Sequence, residues 1–493
     1  MDARQVNWQV VLGPLFQQLD SIELEAVNEA LFKHSARAVR KHSLVAAALP
    51  FATREVPWFE NGFWLEEDVR PGAFLQHAAG DYYVQDAGSM LALALCDVQP
   101  GHCVIDTCAS PGGKASAILE SLRGQGWLLA NEVIGSRLSQ LQLTLERTGL
   151  ANFMVCNQDL DRLAAIVASS NSLADCVLLD APCTGQSMLA KGKQSLSAFS
   201  DKQIEHNAAR QRKLIRHAAE MVRPGGKLVY STCAFSFAEN EAIIEDFCNE
   251  HSGWQTIRDP ALQAWEVEGW PGCYRVWPHR DSCAGAFAAA LRRSDDDQDL
   301  EFNSGLEKSK AMKRRRASHR KWQQLEAVND ASFLPTIDPS FQYFAKNIDL
   351  AAHSKRKGKS KELQELHAFP VLASEDLFQA CVSGSRWAER SESDHASKVQ
   401  AVAGWEPRYA SGVLRLKDSE STSCPVLELS DDQAIKYVAG ESVRVSSSAR
   451  GWVRLVWQGR LLGWGKLTPP ILKNHFPKNL RQPSYISDPQ FPT

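Results

Sequence analysis

The stretch from Val104 to Lys114 constrains the fold more than any other part of the chain. It starts as a short apolar run that ends in Asp106, and it continues as a turn of small residues that reads Cys-Ala-Ser-Pro-Gly-Gly-Lys. The spacing predicts a helix from Ala115 to Leu122. A strand, a glycine-rich turn and a helix in this order hold a nucleotide-like ligand in an open α/β sheet, because the helix amides point toward the ligand. An ordinary strand-to-helix turn is the alternative interpretation of this stretch taken alone.

Strands and helices alternate regularly after this turn. The predicted strands are Trp127 to Glu132, Phe153 to Cys156, Cys176 to Asp180 and Lys227 to Tyr230. The predicted helices are Ser136 to Arg147, Leu160 to Ala168, Asp201 to Val222 and Glu239 to Cys248. Tyr274 to Trp277 and Ala284 to Leu291 predict a closing antiparallel pair. Repeated strand–helix units indicate an α/β fold whose sheet is mostly parallel and carries helices on both faces.

Bulk composition excludes several classes of protein. The 493 residues are 44% hydrophobic and contain no apolar run long enough to span a bilayer, so we expect no membrane association. The net charge of −3 restricts any nucleic-acid binding to local basic patches. The N-terminus lacks the pattern of a signal peptide, and the 12 cysteines include no Cys-x-x-Cys pair. We therefore expect a cytoplasmic protein with free thiols and no metal site.

Acidic residues stand at or just after the ends of successive predicted strands. They are Asp106, Glu132, Asp159 and Asp180. Because parallel strands end at one edge of a doubly wound sheet, these acids are expected to surround one ligand. Glu132 is placed to bind ribose hydroxyls and Asp159 to meet an adenine amino group. Each acid taken singly is also explained as a helix cap or a turn residue.

Two cysteines follow strands on the same predicted edge. Cys183 lies in Asp-Ala-Pro-Cys after the fourth strand, and Cys233 lies in Ser-Thr-Cys after the fifth. A buried cysteine is usually an inert small apolar residue, and we keep that interpretation for the other cysteines. A nucleophilic thiol needs nearby positive charge to lower its pKa. Lys114, Lys191 or a helix N-terminus are the candidates.

These motifs together resemble the Nol/Nop/Sun (Fmu) family of RNA cytosine-5 methyltransferases, from about Gly62 to Arg292. The resemblance implies a Rossmann-like sheet that binds S-adenosylmethionine. It also implies the following cofactor-binding residues: Cys108, Ala109, Ser110, Pro111, Gly112, Gly113, Lys114, Glu132, Asp159 and Asp180. In the catalytic set that it implies, Cys233 attacks the base, Cys183 assists proton removal and release, and Asp180 contacts the N3 edge of cytosine.

Further features resemble a bacterial branch of the family that modifies 16S rRNA. Gly62-Phe63-Trp64 and the stretch from Leu472 to Arg481 carry this likeness, which implies a small β-rich, PUA-like C-terminal domain and RNA, or the small ribosomal subunit, as partner. The expected domains are a helical N-terminal region (1–92), the methyltransferase domain (93–294), a charged linker (295–365), a small intermediate segment (366–420) and the PUA-like domain (421–483).

The sequence also departs from the family. Ser110 replaces a usual alanine, and Gln186-Ser187 stands where Glu-Gly is typical. Three other functions stay open: a DNA cytosine-5 methyltransferase, whose nucleophile follows a proline as Cys183 does, an enzyme acting on tRNA or another RNA, and a non-catalytic RNA-binding assembly factor. The thiol of Cys233 and the C-terminal likeness count against the first, and the intact acids and cysteines count against the last.

Overall fold

A computed structural model describes residues 6–295 and 426–476 and Arg481, apart from positions 34, 67, 149, 151, 170 and 171. It also describes four short strands between these parts: Glu326–Ala327 (β13), Phe341–Ile348 (β14), Leu363–Pro370 (β15) and Val413–Arg415 (β16), which pair as one antiparallel sheet. The predicted linker and intermediate segment otherwise lie outside the described residues. Among the helices described, none has the length and apolar character needed to cross a membrane.

The N-terminal region combines helices with a small antiparallel sheet. Its elements are Trp8–Leu12 (α1), Ser21–Ala30 (α2), Ala38–Lys41 (β1), Thr53–Glu55 (β2), Gly62–Leu65 (β3), Leu75–Ala79 (α3) and Tyr82–Val84 (β4). Asp20 and Glu23 form a capping box that starts α2. The N-terminal region, predicted to be helical, also contains this sheet, in which β1 pairs with β3 and β4. These partners are distant in sequence, so local periodicity does not reveal the strand.

The central sheet supplies the edge on which the site lies. Within residues 103–293 its strands are Cys103–Asp106 (β5), Trp127–Asn131 (β6), Phe153–Cys156 (β7), Ala174–Asp180 (β8), Val222–Thr232 (β9), Trp254–Thr256 (β10), Cys273–Val276 (β11) and Ala286–Arg293 (β12). Their order is β10-β12-β9-β8-β5-β6-β7, with β11 paired to β12. Strands β5 to β9 are parallel, and β12 is antiparallel to β9, β10 and β11. The predicted mostly parallel sheet with an antiparallel edge is confirmed.

Helices cover both faces of this sheet. They are Leu91–Cys96 (α4), Gly113–Leu122 (α5), Leu138–Glu146 (α6), Leu160–Ser169 (α7), Asp201–Ala219 (α8) and Glu241–Glu250 (α9). Adjacent residues of β5 belong to the apolar cores on opposite faces of the sheet: Val104 lies in one core with Leu178, and Ile105 lies in the other core with Val177. Strands buried on both faces are continuously apolar, which explains the runs seen in the sequence.

The C-terminal unit is a small β-rich domain with one helix in its described part. Its elements are Val426–Glu428 (β17), Asp431–Ala439 (α10), Val443–Arg444 (β18), Gly451–Trp457 (β19), Arg460–Thr468 (β20) and Ile471–Asn474 (β21). Its core includes Leu75 and Ala78 of α3, so it packs directly on the N-terminal region. Arg460 and Asp81 form an ion pair of 2.8 Å across this contact.

Candidate active site

The cofactor turn lies between β5 and α5. Gly112 has a φ of +109°, and a side chain there would meet Cβ of Thr144 at 2.8 Å, so only glycine fits. The amide of Ala109 donates to the carbonyl of Asn131 on β6 at 2.8 Å. This hydrogen bond fixes the turn to the neighbouring strand, and the N-terminus of α5 lies at the edge where the parallel strands end.

Asp106 lies beneath this turn and is fully buried. One carboxylate oxygen, Oδ1, accepts from the amide of Cys108 at 3.3 Å, while Oδ2 has no hydrogen-bond partner among the described residues. Burial, with the nearby charge of Asp180, raises the pKa of Asp106 to about 7. A buried acceptor without a partner is the kind of group that a ligand satisfies.

Glu132 follows β6 and is buried. Its Oε1 accepts from the amide of Ile134 at 2.8 Å, and its Oε2 lies 3.2 Å from Arg137. Arg137 also donates to the carbonyl of Ser110 at 2.6 Å. Arg137 was not among the predicted site residues, and it joins the predicted ribose-binding acid to the cofactor turn. The sequence signal for it is its place five residues after Glu132, at the start of α6.

Asp159, the predicted adenine contact, follows β7 and is exposed to solvent. Its neighbours Asn157 and Gln158 are buried instead, and Asn157 donates to the carbonyl of Glu132 at 2.6 Å. Val133 and Ile134 expose 44% and 49% of their surface beside the buried Glu132. An exposed apolar pair, a buried acid and a helix N-terminus together fit a cofactor with an apolar base, a ribose and charged groups.

The two predicted cysteines meet at this edge. Strands β8 and β9 are in parallel register, with Asp180 beside Ser231, so the loops after them leave the sheet at the same level. The sulfur atoms of Cys183 and Cys233 lie 3.4 Å apart. The side chain of Asp180 bridges the loops, since its Oδ1 accepts from Ser231 at 2.8 Å and its Oδ2 pairs with Lys114 at 2.7 Å.

The two thiols differ in electrostatic environment. A hydrogen bond from Cys183 lowers the pKa of Cys233, and the charge of Lys114 lowers it further, against the opposing effects of burial and of Asp180. The same hydrogen bond, with burial and the charge of Glu239, raises the pKa of Cys183. Cys233 is therefore the thiol favoured as thiolate and Cys183 the one favoured as proton donor.

The structure also separates the two lysines that the sequence offered as activators. Lys114 is half-buried on α5, where it contacts Asp180 and acts on Cys233. Lys191 instead pairs with Asp86 of the N-terminal region at 3.0 Å. The positive charge beside the thiol thus comes from Lys114.

Gln186 and Ser187 occupy the position where this sequence departs from the family. The side-chain oxygen of the buried Gln186 accepts from the amides of Phe235 and Ser236 at 2.7 and 3.1 Å. The amide of Ser187 donates to the carbonyl of Cys233 at 3.1 Å. Gln186 therefore joins the two cysteine loops through an uncharged amide.

The sheet has a Rossmann-like strand order, a glycine turn between β5 and α5, and acids along the edge where its parallel strands end. These features define a methyltransferase domain that binds a nucleoside cofactor. Three family models match the chain in succession: the N-terminal domain of 16S rRNA methyltransferase RsmF over residues 16–87, 16S rRNA methyltransferase RsmB/F over 92–292, and the methyltransferase RsmF PUA domain over 424–482. Residues 92–292 thus match the RsmB/F methyltransferases, and S-adenosylmethionine is accordingly the cofactor of this domain.

Individual relatives agree with this placement. Ribosomal RNA small subunit methyltransferase F of Aeromonas hydrophila is 27% identical over 468 residues, 90% of each chain. Its namesake from Escherichia coli is 34% identical over 248 residues, 48% of this chain and about half, 51%, of that relative.

Among solved structures, a methyltransferase homologue from Pyrococcus horikoshii has 25% identity and a TM-score of 0.50, covering 59% of this chain and 100% of its own. NSun6 from the same organism, with 19% identity and a TM-score of 0.50 over 58% of this chain and 98% of its own, shares the fold.

Proposed function

We propose that the chain transfers a methyl group from S-adenosylmethionine to carbon 5 of cytosine in 16S ribosomal RNA. The observation that carries this proposal is the pair of thiols 3.4 Å apart, one of them favoured as thiolate by Lys114. Relatives named as small-subunit RNA methyltransferases support the choice of RNA. The expected place of action is the cytoplasm, where free 16S rRNA and small subunits are available.

The chemistry begins at Cys233. Carbon 5 of cytosine is a weak nucleophile, and addition of a thiolate to carbon 6 makes carbon 5 enamine-like. The cofactor supplies an electrophilic methyl group on a sulfonium. The hydrogen bond from Cys183 and the charge of Lys114 favour the thiolate form of the attacking thiol, and Asp180 lies between the lysine and the loop of the nucleophile, where it can contact the N3 edge of the base.

The reaction ends when carbon 5 loses its proton and the enzyme is released from the base. After methyl transfer, carbon 5 carries both the methyl group and its original proton. Removal of that proton returns an electron pair to the ring, and the bond between Cys233 and carbon 6 breaks. Cys183 lies 3.4 Å from the nucleophile and has a raised pKa, so its sulfur is placed to accept the proton from carbon 5 as its own proton passes to the departing thiolate of Cys233.

The DNA-type alternative assigns the opposite roles. It takes the cysteine after the proline, Cys183, as nucleophile, but the charge of Glu239 raises the pKa of that thiol and Lys114 acts on the other one. The charges around the two thiols thus favour Cys233 as the nucleophile. A non-catalytic assembly factor has no use for a half-buried lysine that pairs at 2.7 Å with an acid beside two thiols.

Product analysis tests the proposal. The purified protein is incubated with labelled S-adenosylmethionine and, in separate reactions, unmodified 16S rRNA, small subunits, tRNA and duplex DNA. We expect labelled 5-methylcytosine in the 16S rRNA or subunit reaction and in neither tRNA nor DNA. Bisulfite sequencing of 16S rRNA from a strain without the gene then identifies the nucleotide. Label in another base, or in tRNA or DNA alone, contradicts the proposal.

A further inference from the structure

Two consecutive side chains approach the cysteine loops from the far side, and neither reacts with the base or the cofactor in the proposed mechanism. Glu239 and Asn240 directly precede α9, and both are fully buried. The side chain of Glu239 makes hydrogen bonds to the loop of Cys183, and that of Asn240 makes hydrogen bonds to the loop of Cys233.

Glu239 holds the loop of Cys183. Its carboxylate accepts from the amide of Thr184 at 2.9 Å and from the hydroxyl of the same residue at 2.6 Å. It also accepts from the side chain of Gln211 on α8 at 3.0 Å, and that amide group donates in addition to the carbonyl of Pro182 at 3.0 Å. The backbone is thus fixed on both sides of Cys183.

Asn240 holds the loop of Cys233 in the same manner. Its oxygen accepts from the hydroxyl of Thr232 at 2.5 Å, and its amide group donates to the carbonyl of Ala234 at 2.9 Å. The hydroxyl of Thr232 also accepts from the amide of Ala234 at 3.2 Å. The residues before and after Cys233 are therefore both tied to one side chain.

We propose that Glu239 and Asn240 are positioning residues that together set the separation and the unequal roles of the two catalytic thiols. The inference rests on the proposed two-thiol mechanism. Because the two residues are adjacent in the chain, a displacement of one cysteine loop relative to the other requires a break in one of the two sets of hydrogen bonds. Catalytic groups perform only when held within a fraction of an ångström of their working geometry.

The two residues also differ in charge. Glu239 places a carboxylate beside Cys183, which disfavours a second thiolate, whereas the amide of Asn240 adds no charge beside Cys233. The chain thus supplies a negative group to the proton-carrying thiol and a neutral group to the nucleophile. A carboxylate beside Cys233 instead of Cys183 would disfavour the thiolate of the nucleophile.

The expected signatures of the two residues are opposite. Glu239→Gln keeps the shape but replaces one acceptor oxygen with a donor that faces other donors, so the Cys183 loop loosens and release of the RNA slows by about tenfold. A protein–RNA species that survives denaturation should accumulate. Asn240→Ala loosens the Cys233 loop, so attack slows and that species should diminish. Thr232→Val, which removes the same hydrogen bond from the other side with little change of shape, should act in the same direction.

The experiment is a single-turnover reaction with 16S rRNA and labelled S-adenosylmethionine, analysed on a denaturing gel for trapped and released RNA. Glu241→Gln is the matched control: the residue is equally buried in the same tripeptide, but it pairs with Arg275 and contacts neither thiol. It should lower the melting temperature without changing the ratio of trapped to released RNA. Affinity for the cofactor should be unchanged in all four variants.

Two failures are distinguishable. If Glu239→Gln lowers trapped and released RNA in parallel, as loss of folded protein does, the positioning role is wrong. If Cys183→Ala, run beside it, traps no RNA although it is folded, the two-thiol mechanism is wrong, whatever Glu239 does.

Discussion

Replacing Lys114 by methionine should raise the pKa of Cys233 and leave that of Cys183 high. A unit charge about 5 Å from a thiolate, at an effective dielectric constant of about 20, contributes roughly 3 kcal/mol, which corresponds to about two pKa units. Removal of Lys114 also leaves the carboxylate of Asp180, its partner at 2.7 Å, uncompensated near the thiol, which adds to the shift. At neutral pH the thiolate fraction of Cys233 should therefore fall about 100-fold.

The rate falls less than the thiolate fraction, because a more basic thiolate is a better nucleophile. With a Brønsted coefficient of about 0.45, a two-unit rise in pKa increases the intrinsic reactivity about eightfold. The expected net loss at pH 7 is roughly tenfold. Above the raised pKa the variant should react faster than the natural protein, so the two pH profiles should cross.

The assay is alkylation of Cys233 by iodoacetamide from pH 6 to pH 10, followed by peptide mass spectrometry that separates the Cys233 and Cys183 peptides. Lys191→Met is the control, because Lys191 pairs with Asp86 and is not among the charges that act on Cys233. Its profile should overlay that of the natural protein. Profiles of Lys114→Met that stay parallel to the natural one, or an inflection that moves by less than about half a unit, would refute the electrostatic role of Lys114.

Three further predictions concern the cofactor, the buried acid and the C-terminal domain. Glu132→Ala should weaken S-adenosylmethionine binding by about 1–3 kcal/mol in calorimetry, since it removes a charged acceptor, and an unchanged affinity would remove Glu132 from the cofactor site. The pKa of Asp106 is raised to about 7, so the stability associated with its protonated form is full below its unfolded pKa of about 4 and is lost as pH rises through 7; Asp106→Asn should therefore raise the melting temperature more at pH 8 than at pH 5. Lys466 and Lys473 are exposed and lie directly opposite each other on β20 and β21, and two like charges in this arrangement reduce stability. Replacing both with alanine should therefore not lower the melting temperature. The double variant should reduce the salt slope of RNA binding by about 1.4–1.8. An unchanged slope would count against RNA contact at this face.

The sheet and its site edge were predictable because they follow from local rules. Apolar runs ending in Asp106 and Asp180 identify strands, and the topology of a parallel sheet brings their carboxyl ends together. The pairing of Cys183 with Cys233 could be predicted only as proximity, because the 3.4 Å separation depends on side chains 50 residues apart. One prediction of detail was wrong: the strand predicted to begin at Lys227 begins at Val222, so that Pro224, Gly225 and Gly226 lie inside β9.

Contacts made across the chain escaped prediction for the same reason. Arg137 reaches Ser110 through the fold, and no motif of the turn requires it. Phe476 belongs to the stretch from Leu472 to Arg481 that carries the C-terminal likeness, yet it is buried with its ring centroid 5.7 Å from that of Tyr437, and Arg481 donates to its carbonyl. Lys473 of the same stretch is exposed, while Lys478 lies outside the described residues. Burial depends on tertiary packing, which composition alone does not show.

Trapping of RNA by single cysteine variants tests the central claim most directly. Cys233→Ala and Cys183→Ala are each incubated with 16S rRNA and S-adenosylmethionine, and the products are separated on a denaturing gel. We expect no protein–RNA species and no methylation with Cys233→Ala, because carbon 6 is not attacked. We expect an accumulating protein–RNA species with Cys183→Ala, because attack proceeds and release is slow. A trapped species with Cys233→Ala, or none with a folded Cys183→Ala, would contradict the assignment of the two thiols.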